Sequence, residues 1–255
     1  MPLSYVTPAI VLRAWPFGES DKIVSFLTES HGKLTGIAKG AKRSRKRFVN
    51  SLEPFSLVNL RFQDRPHSNL AFVLAADLAV GFKDLLTSLE KISFASYLVE
   101  ITDGLIGERE ENSLVFRHLK DGLAQIDARW TSATFLTSFE LKLLKLTGYQ
   151  PLFDSCRRCG RDRGHGCETR WHFSPRDGGI LCEACSRLRK EIFSLSGVAL
   201  EILTHLQQER GMPESCVSPS SMVLKEIRSI VVRFIEFHIE REIKSVTFLR
   251  QLSLS

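Results

Sequence analysis

No run in this 255-residue chain approaches the roughly 18 consecutive apolar residues of a membrane span. A spanning helix is therefore not expected. Met1-Pro2-Leu3-Ser4-Tyr5 has no basic segment leading into an apolar run, so no secretory signal is read there. The expected compartment is the cytoplasm. Catalytic motifs are missing too. There is no G-x-x-x-x-G-K-[ST], no G-x-G-x-x-G after a strand and no H-E-x-x-H. His31, His67, His118, His205 and His238 are scattered, away from any nucleophile or carboxylate pair in sequence. Nothing in the residues favours an enzyme. Internal repeats and low-complexity tracts are also absent. Hydrophobic residues make up 43% and charged residues 25%, enough for a packed core and too apolar for wholesale disorder.

Acidic residues are missing from one place in particular. Between Ser30 and Leu52 stand Lys33, Lys39, Lys42, Arg43, Arg45, Lys46 and Arg47, with no Asp or Glu. The whole chain carries +6, and taking these seven charges away leaves −1. The basicity is thus a local patch on a nearly neutral protein. A weaker excess runs from Cys156 to Glu191, with nine basic and five acidic residues.

Residues 1–80 read as strands. Ala9–Leu12, Ile23–Leu27 and Lys33–Lys39 are short apolar runs, the third with Gly36 as a candidate bulge. Val58, Leu60 and Phe62 alternate with polar residues, and a second alternation runs from Leu70 to Leu78. Arg65-Pro66-His67-Ser68-Asn69 turns between them. Five short strands in under 80 residues suit a small barrel, of which the OB-fold is the commonest form. From Gly81 the period becomes helical. Thr87 and Ser88 are candidate caps for a helix through Ile101, and Asn112-Ser113 opens a second. Thr131 to Leu146 is a third, stopped by Gly148 and Pro151. Ser196 caps Val198–Gln207. A Pro/Ser-rich linker follows from Met212 to Ser221. A single long helix is expected over about Met222–Lys244, with Leu224, Ile227, Ile230, Val231, Phe234 and Phe237 on its apolar side.

Two C-x₂-C pairs, Cys156/Cys159 and Cys182/Cys185, stand 22 residues apart. Two residues between cysteines let both sulfurs face one ion from a tight turn, and Gly160 permits that turn. Two such turns complete a tetrahedral S₄ set, which suits one structural Zn²⁺. An iron–sulfur cluster would use the same four ligands. A thioredoxin-like dithiol needs a βαβ context, which is absent. Trp171-His172-Phe173 and Ile180-Leu181 read as a hairpin between the pairs. Cys167, His165 and His172 lie inside it as competing ligands, and Cys216 sits in the linker. All are read as bystanders.

The run Lys39, Lys42, Arg43, Arg45, Lys46 and Arg47 reads as a DNA-binding loop that neutralises phosphates without reading bases. Its place after the third strand is not the usual OB surface, which uses strands 2–3 and the 1–2 and 4–5 loops. Glu19 and Asp21 in the 1–2 loop would repel phosphate. Trp15, Phe17 and Phe26 are able to stack bases, with core packing the expected role for most of them.

Several short motifs, taken in order, match one family. They are Ala9–Arg13 through Phe17-Gly18-Glu19-Ser20-Asp21, then His31-Gly32-Lys33, Ala38–Lys42 and Leu52-Glu53-Pro54-Phe55. Farther on come Phe139–Leu144, Gly148-Tyr149-Gln150-Pro151 and Cys156–Gly160. Their order resembles the bacterial RecO recombination mediators over nearly the whole chain. The resemblance implies an α+β protein: a five-stranded OB-fold barrel (1–80) followed by a helical domain in two parts (81–153 and 192–255). A Cys₄ zinc-ribbon-like module (154–191) is inserted between those parts. It implies binding of single- and double-stranded DNA, annealing of complementary strands, and help in loading a recombinase on strands coated by single-strand-binding protein. Implied partners are the RecR protein and the acidic C-terminal tail of single-strand-binding protein, with the recombinase served indirectly. A nucleoid-associated location follows. No family motif assigns the tail pocket; a groove between helices with a nearby Lys or Arg is expected for it. The alternative from another class is a zinc-ribbon adaptor binding RNA or protein in transcription or ribosome assembly.

Overall fold

A computed structural model describes residues 3–44, 46–65, 68–129, 132–164, 170–209 and 219–251. The chain forms two compact units, 1–130 and 131–255. The change from strand to helix at Gly81 falls inside the first.

In the first unit β1 (Ser4–Phe17), β2 (Asp21–Thr28), β3 (Lys33–Ala38), β4 (Leu57–Gln63) and β5 (Ala71–Val80) close a barrel in the order β1-β2-β3-β5-β4. All neighbours are antiparallel except β3 and β5, which meet in parallel only at Gly36↔Ala71 and Ile37↔Phe72. Val24, Phe26, Leu34, Val58, Leu60 and Phe62 alternate inward and bury the core. Gly36 is not the expected bulge, since the β2–β3 register runs through it unbroken. It marks the closure instead: a Cβ there would sit 2.7 Å from Val73 Cγ2. A bulge lies in β1, where the register steps from Val11↔Phe26 to Arg13↔Ser25, and the β4–β5 pairing shifts at Leu57/Val58 and Arg61/Phe62. The extra residue in β1 reverses the alternation. Ala9 and Val11 face the core before it and Ala14 after it, so Arg13, Trp15 and Phe17 turn outward.

Two helices complete this unit, α1 (Leu89–Leu105) and α2 (Ser113–Ala128), packing on β1 and β2. Their start signals work as the side chains suggest: Ser88 accepts from the Lys91 amide and Asn112 from the Val115 amide. Asp103 of α1 receives Arg13 at 2.8 Å and Lys33 at 3.4 Å, tying helix to barrel.

The second unit holds α3 (Ala133–Leu146), α5 (Gly197–Gln207), α6 (Ser221–Ile239) and α7 (Lys244–Gln251). Between α3 and α5 comes a small sheet, β7 (Gly179–Leu181), β6 (Trp171–Ser174) and β8 (Phe193–Leu195), with a one-turn helix α4 (Glu183–Ser186). Phe173 of β6 meets Phe234 of α6 edge-on at 5.3 Å, joining sheet to helices. The final helix is not continuous. Glu240 adopts φ +54°, in a stretch Glu240-Arg241-Glu242 with no apolar side chain to hold another turn. The apolar side of α6 also carries Arg228. This guanidinium is buried and donates to both carboxylate oxygens of Glu140 on α3. No helix among the described residues is long and apolar enough to cross a membrane.

Candidate nucleic-acid interface and metal centre

The basic stretch is a pinned loop rather than a free arm. Gly40, at φ +68°, opens a short 3₁₀ turn over Ala41–Arg43. Ala41, Phe48 and Leu52 sink into the end of the barrel core. The Gly40 amide donates to Asp21 Oδ1 at 2.8 Å, and the Lys42 amide donates to the Ser20 carbonyl at 2.9 Å. Lys42 Nζ donates to the Gly18 carbonyl at 2.8 Å. Arg47 donates to the Lys39 carbonyl at 2.9 Å and its guanidinium lies 5.1 Å from the Phe48 ring centroid. With its backbone held this way, the loop still presents Lys39, Lys42, Arg43, Lys46 and Arg47 as exposed side chains. None of the five forms an ion pair among the described residues. Arg45 lies outside the described residues.

Two charges need correcting against a simple count. Lys33 is largely buried and occupied by Asp103, so it is not part of the exposed patch. Asp21 does not simply oppose phosphate. The Gly40 amide, then the Ser20 hydroxyl, hold its carboxyl below its ordinary value, with Lys39 and Lys42 adding to the effect. Glu19 remains exposed. The aromatics divide. Phe26 is fully buried, whereas Trp15 is 41% and Phe17 50% exposed. The signal that could have separated them is the β1 bulge, and no residue in Val11-Leu12-Arg13 announces it.

A cleft of about 780 Å³ opens where β3 and β5 part, lined among others by Thr35, Asn69, Leu70 and Arg109. Arg109, the one cation among the described lining residues, is paired with Asp64.

In the second unit the four cysteines converge. All four sulfurs lie within 4.8 Å of one another, with Cys159 and Cys182 3.7 Å apart. Gly160, at φ +71°, closes the first turn by donating to the Cys156 carbonyl. Burial pushes the Cys156 thiol up, but the amides of Cys159, Cys182 and Arg158 outweigh it and bring it down to about 6. Cys185 is pushed up to about 12, chiefly by the Cys182 sulfur, then by burial and the other two sulfurs. Four crowded thiols that resist ionising together, with amides already aimed at one, form a pocket a cation would complete. The set can hold a metal ion. His172 is not in it; its Nε2 lies 2.8 Å from Glu183 Oε2. Cys167, His165 and Cys216 lie outside the described residues. The hairpin between the pairs forms as β6 and β7, and the third strand, β8, goes beyond what the pattern announced.

A closed five-stranded barrel bearing an exposed cationic loop is joined in sequence to a helical unit with a four-cysteine knuckle, and no catalytic constellation stands among the described residues. The chain matches the families described as Recombination protein O N terminal over residues 1–82 and Recombination protein O C terminal over residues 86–247. It is 34% identical over 252 residues to the DNA repair protein RecO of Myxococcus xanthus (strain DK1622), covering 98% of both chains. The DNA repair protein RecO of Caldanaerobacter subterraneus subsp. tengcongensis is 31% identical over 249 residues, 97% of this chain and 98% of that one. That of Syntrophus aciditrophicus (strain SB) is 31% identical over 251 residues, 98% and 96%. The chain belongs to the RecO family of DNA repair proteins.

Proposed function

We propose that this protein is a non-enzymatic recombination mediator. It binds single- and double-stranded DNA through the loop 39–47, anneals complementary strands, and assists recombinase loading on strands coated by single-strand-binding protein. Its partners in this reading are RecR and the acidic tail of single-strand-binding protein, met in the cytoplasm at the nucleoid. The observation that carries the reading is the pinned loop with five exposed cations that form no ion pair among the described residues. Cations held close together on a fixed backbone neutralise successive phosphates at little ordering cost. The same charges lower the repulsion between two strands brought together, which is what annealing requires.

The Cys₄ centre supports the reading as a structural element. Tetrahedral Zn²⁺ with Zn–S near 2.3 Å places sulfurs about 3.8 Å apart. The 3.7 Å between Cys159 and Cys182 fits that ion. A closed Cys₄ set leaves no open position for water, so Zn²⁺ there holds the knuckle rather than reacting.

The test is a binding titration against salt. If about four cations each touch one phosphate, log K should fall with log salt at a slope near −3 for single strands. The Arg43 and Lys46 side chains make no hydrogen bond or ion pair among the described residues, so Arg43→Ala/Lys46→Ala is the clean variant. It should reduce the slope by about 1.4, at about 0.7 per lost contact, and weaken all sequences alike. Annealing should fall in parallel. An unchanged slope with a folded variant refutes the loop as the DNA site, and a preference for structured RNA over single-stranded DNA refutes the substrate.

A further inference from the structure

We propose that Trp15 and Phe17 form a stacking platform for unpaired bases, which makes the adjoining cationic loop selective for single-stranded DNA. The proposal rests on that loop contacting phosphates and adds a second recognition element beside it.

The β1 bulge puts Arg13, Trp15 and Phe17 on the outer face of the barrel. Arg13 is engaged by Asp103. The two aromatic side chains beyond it have no such partner. Trp15 is 41% and Phe17 50% exposed, and no ring or guanidinium stacks on either among the described residues. The register neighbours of Trp15 are covered: it pairs with Ile23, which pairs with Ile37, and both isoleucines are buried. Two large aromatic side chains are thus left about half exposed beside a packed apolar row.

Their position relative to the cations supplies the occupant. Phe17 pairs with Asp21, whose carboxylate holds the Gly40 amide. Gly18, the next residue after Phe17, accepts Lys42 Nζ. The β2–β3 register ends at Lys22↔Ala38, so Lys39 emerges beside Asp21. The loop that carries the cations is therefore bonded to the hairpin that carries the rings. Trp15 and Phe17 stand two residues apart on one face, about 7 Å along the strand, so each ring takes its own base. Flat aromatic faces beside a cationic track are complementary to a strand whose bases are unstacked and whose phosphates are charged. In a duplex the base faces are already covered by their neighbours, and only the phosphates remain available to the loop.

The experiment compares full-length wild type with Trp15→Ala/Phe17→Ala, binding oligo(dT) and a blunt duplex over a range of salt. The variant should bind oligo(dT) about thirtyfold or more weakly, the effect of removing two base–aromatic stacks at about 1 kcal/mol or more each, while duplex affinity stays within about twofold. Its salt slope should match wild type, since no phosphate contact is removed. Trp15→Phe should restore most of the single-strand affinity, and oligo(dT) should quench tryptophan emission more in wild type than in Trp15→Phe. Equal losses on both substrates, or no loss on oligo(dT), overturn the platform. No loss on either would leave these rings as a protein-docking surface. If Arg43→Ala/Lys46→Ala leaves the slope unchanged, the failure belongs to the phosphate loop and not to the rings.

Discussion

Replacing Glu140 by leucine should destabilise the second unit more than any exposed substitution in the chain. Glu140 is fully buried on α3 and the Arg228 side chain on α6 is 6% exposed. One guanidinium nitrogen meets both carboxylate oxygens. Removing either partner takes away the opposite charge that the other, buried one faces between α3 and α6, which costs about 3–5 kcal/mol. Removing both charges with side chains of similar size should be neutral, or stabilising by about 1–4 kcal/mol, because two desolvation penalties vanish together. The expected order is therefore Glu140→Leu and Arg228→Met both strongly destabilised, and the double variant near wild type. Urea unfolding followed by Trp171 emission in a Trp15→Phe/Trp130→Phe background reads this, since Trp171 is buried in the same unit and the other two tryptophans are not in it. With a denaturant slope near 2 kcal/mol/M, each single variant should lose about 2 M in midpoint. Single losses under about 1 kcal/mol, or a double variant carrying the sum of both, would refute the buried-pair argument.

Metal analysis of purified protein should find about one zinc per chain, and Cys182→Ser should lower stability more than DNA affinity per folded molecule; iron with a visible charge-transfer band would overturn this. Gly36→Val should cost about 1–3 kcal/mol by overpacking the barrel closure, because its Cβ falls 2.7 Å from Val73 Cγ2; an unchanged melting temperature contradicts that close approach. Asp21 has a depressed folded pKa, so its hold on Gly40 is complete above the unfolded carboxylate value and lost only as pH falls through the folded one. Protease protection of the loop should thus stay flat from pH 7 to about 5 and drop in stronger acid, and Asp21→Ala should show weak protection throughout; a loss already at neutral pH is the contrary result. A peptide with the acidic tail of single-strand-binding protein should bind, and amidating its C-terminus should weaken it; equal affinities refute a cation paired to the carboxylate.

The strands and helices were legible where one periodicity ran unbroken. Val58-Asn59-Leu60-Arg61-Phe62 alternates because β4 has one face in the core, and the caps Ser88, Asn112 and Ser196 stand where helices begin. What was not legible comes from tertiary choices that local pattern does not encode. Gly36 reads as a bulge in one strand, and only the approach of β5 shows why no side chain fits. The bulge in β1 has no glycine to mark it, yet it decides the exposure of Trp15 and Phe17. Arg228 sits among Ile227, Ile230 and Val231, and a period-3.6 reading passes over it because its partner Glu140 is 88 residues away. The break after Ile239 reflects missing apolar support, a weaker mark than Gly or Pro.

The cationic site shows the same division more sharply. Charge counting found the segment, since seven basic residues without an acid are visible in one line of sequence. Counting does not reveal partners. Lys33 belongs to Asp103, and Arg47 serves the Lys39 carbonyl as well as the surface. Asp21, which by sign alone opposes a phosphate, bonds the backbone at Gly40 and so fixes the direction in which the neighbouring lysines leave the barrel. Its negative charge weakens the patch by at most one unit. In return the loop is ordered before any strand arrives, and a cation already in place loses less freedom on binding than one on a free arm. An acid inside the proposed phosphate-binding surface is therefore compatible with it when the acid is bonded into the loop, and this one is held by two hydrogen bonds to its Oδ1, from the Gly40 amide and the Ser20 hydroxyl.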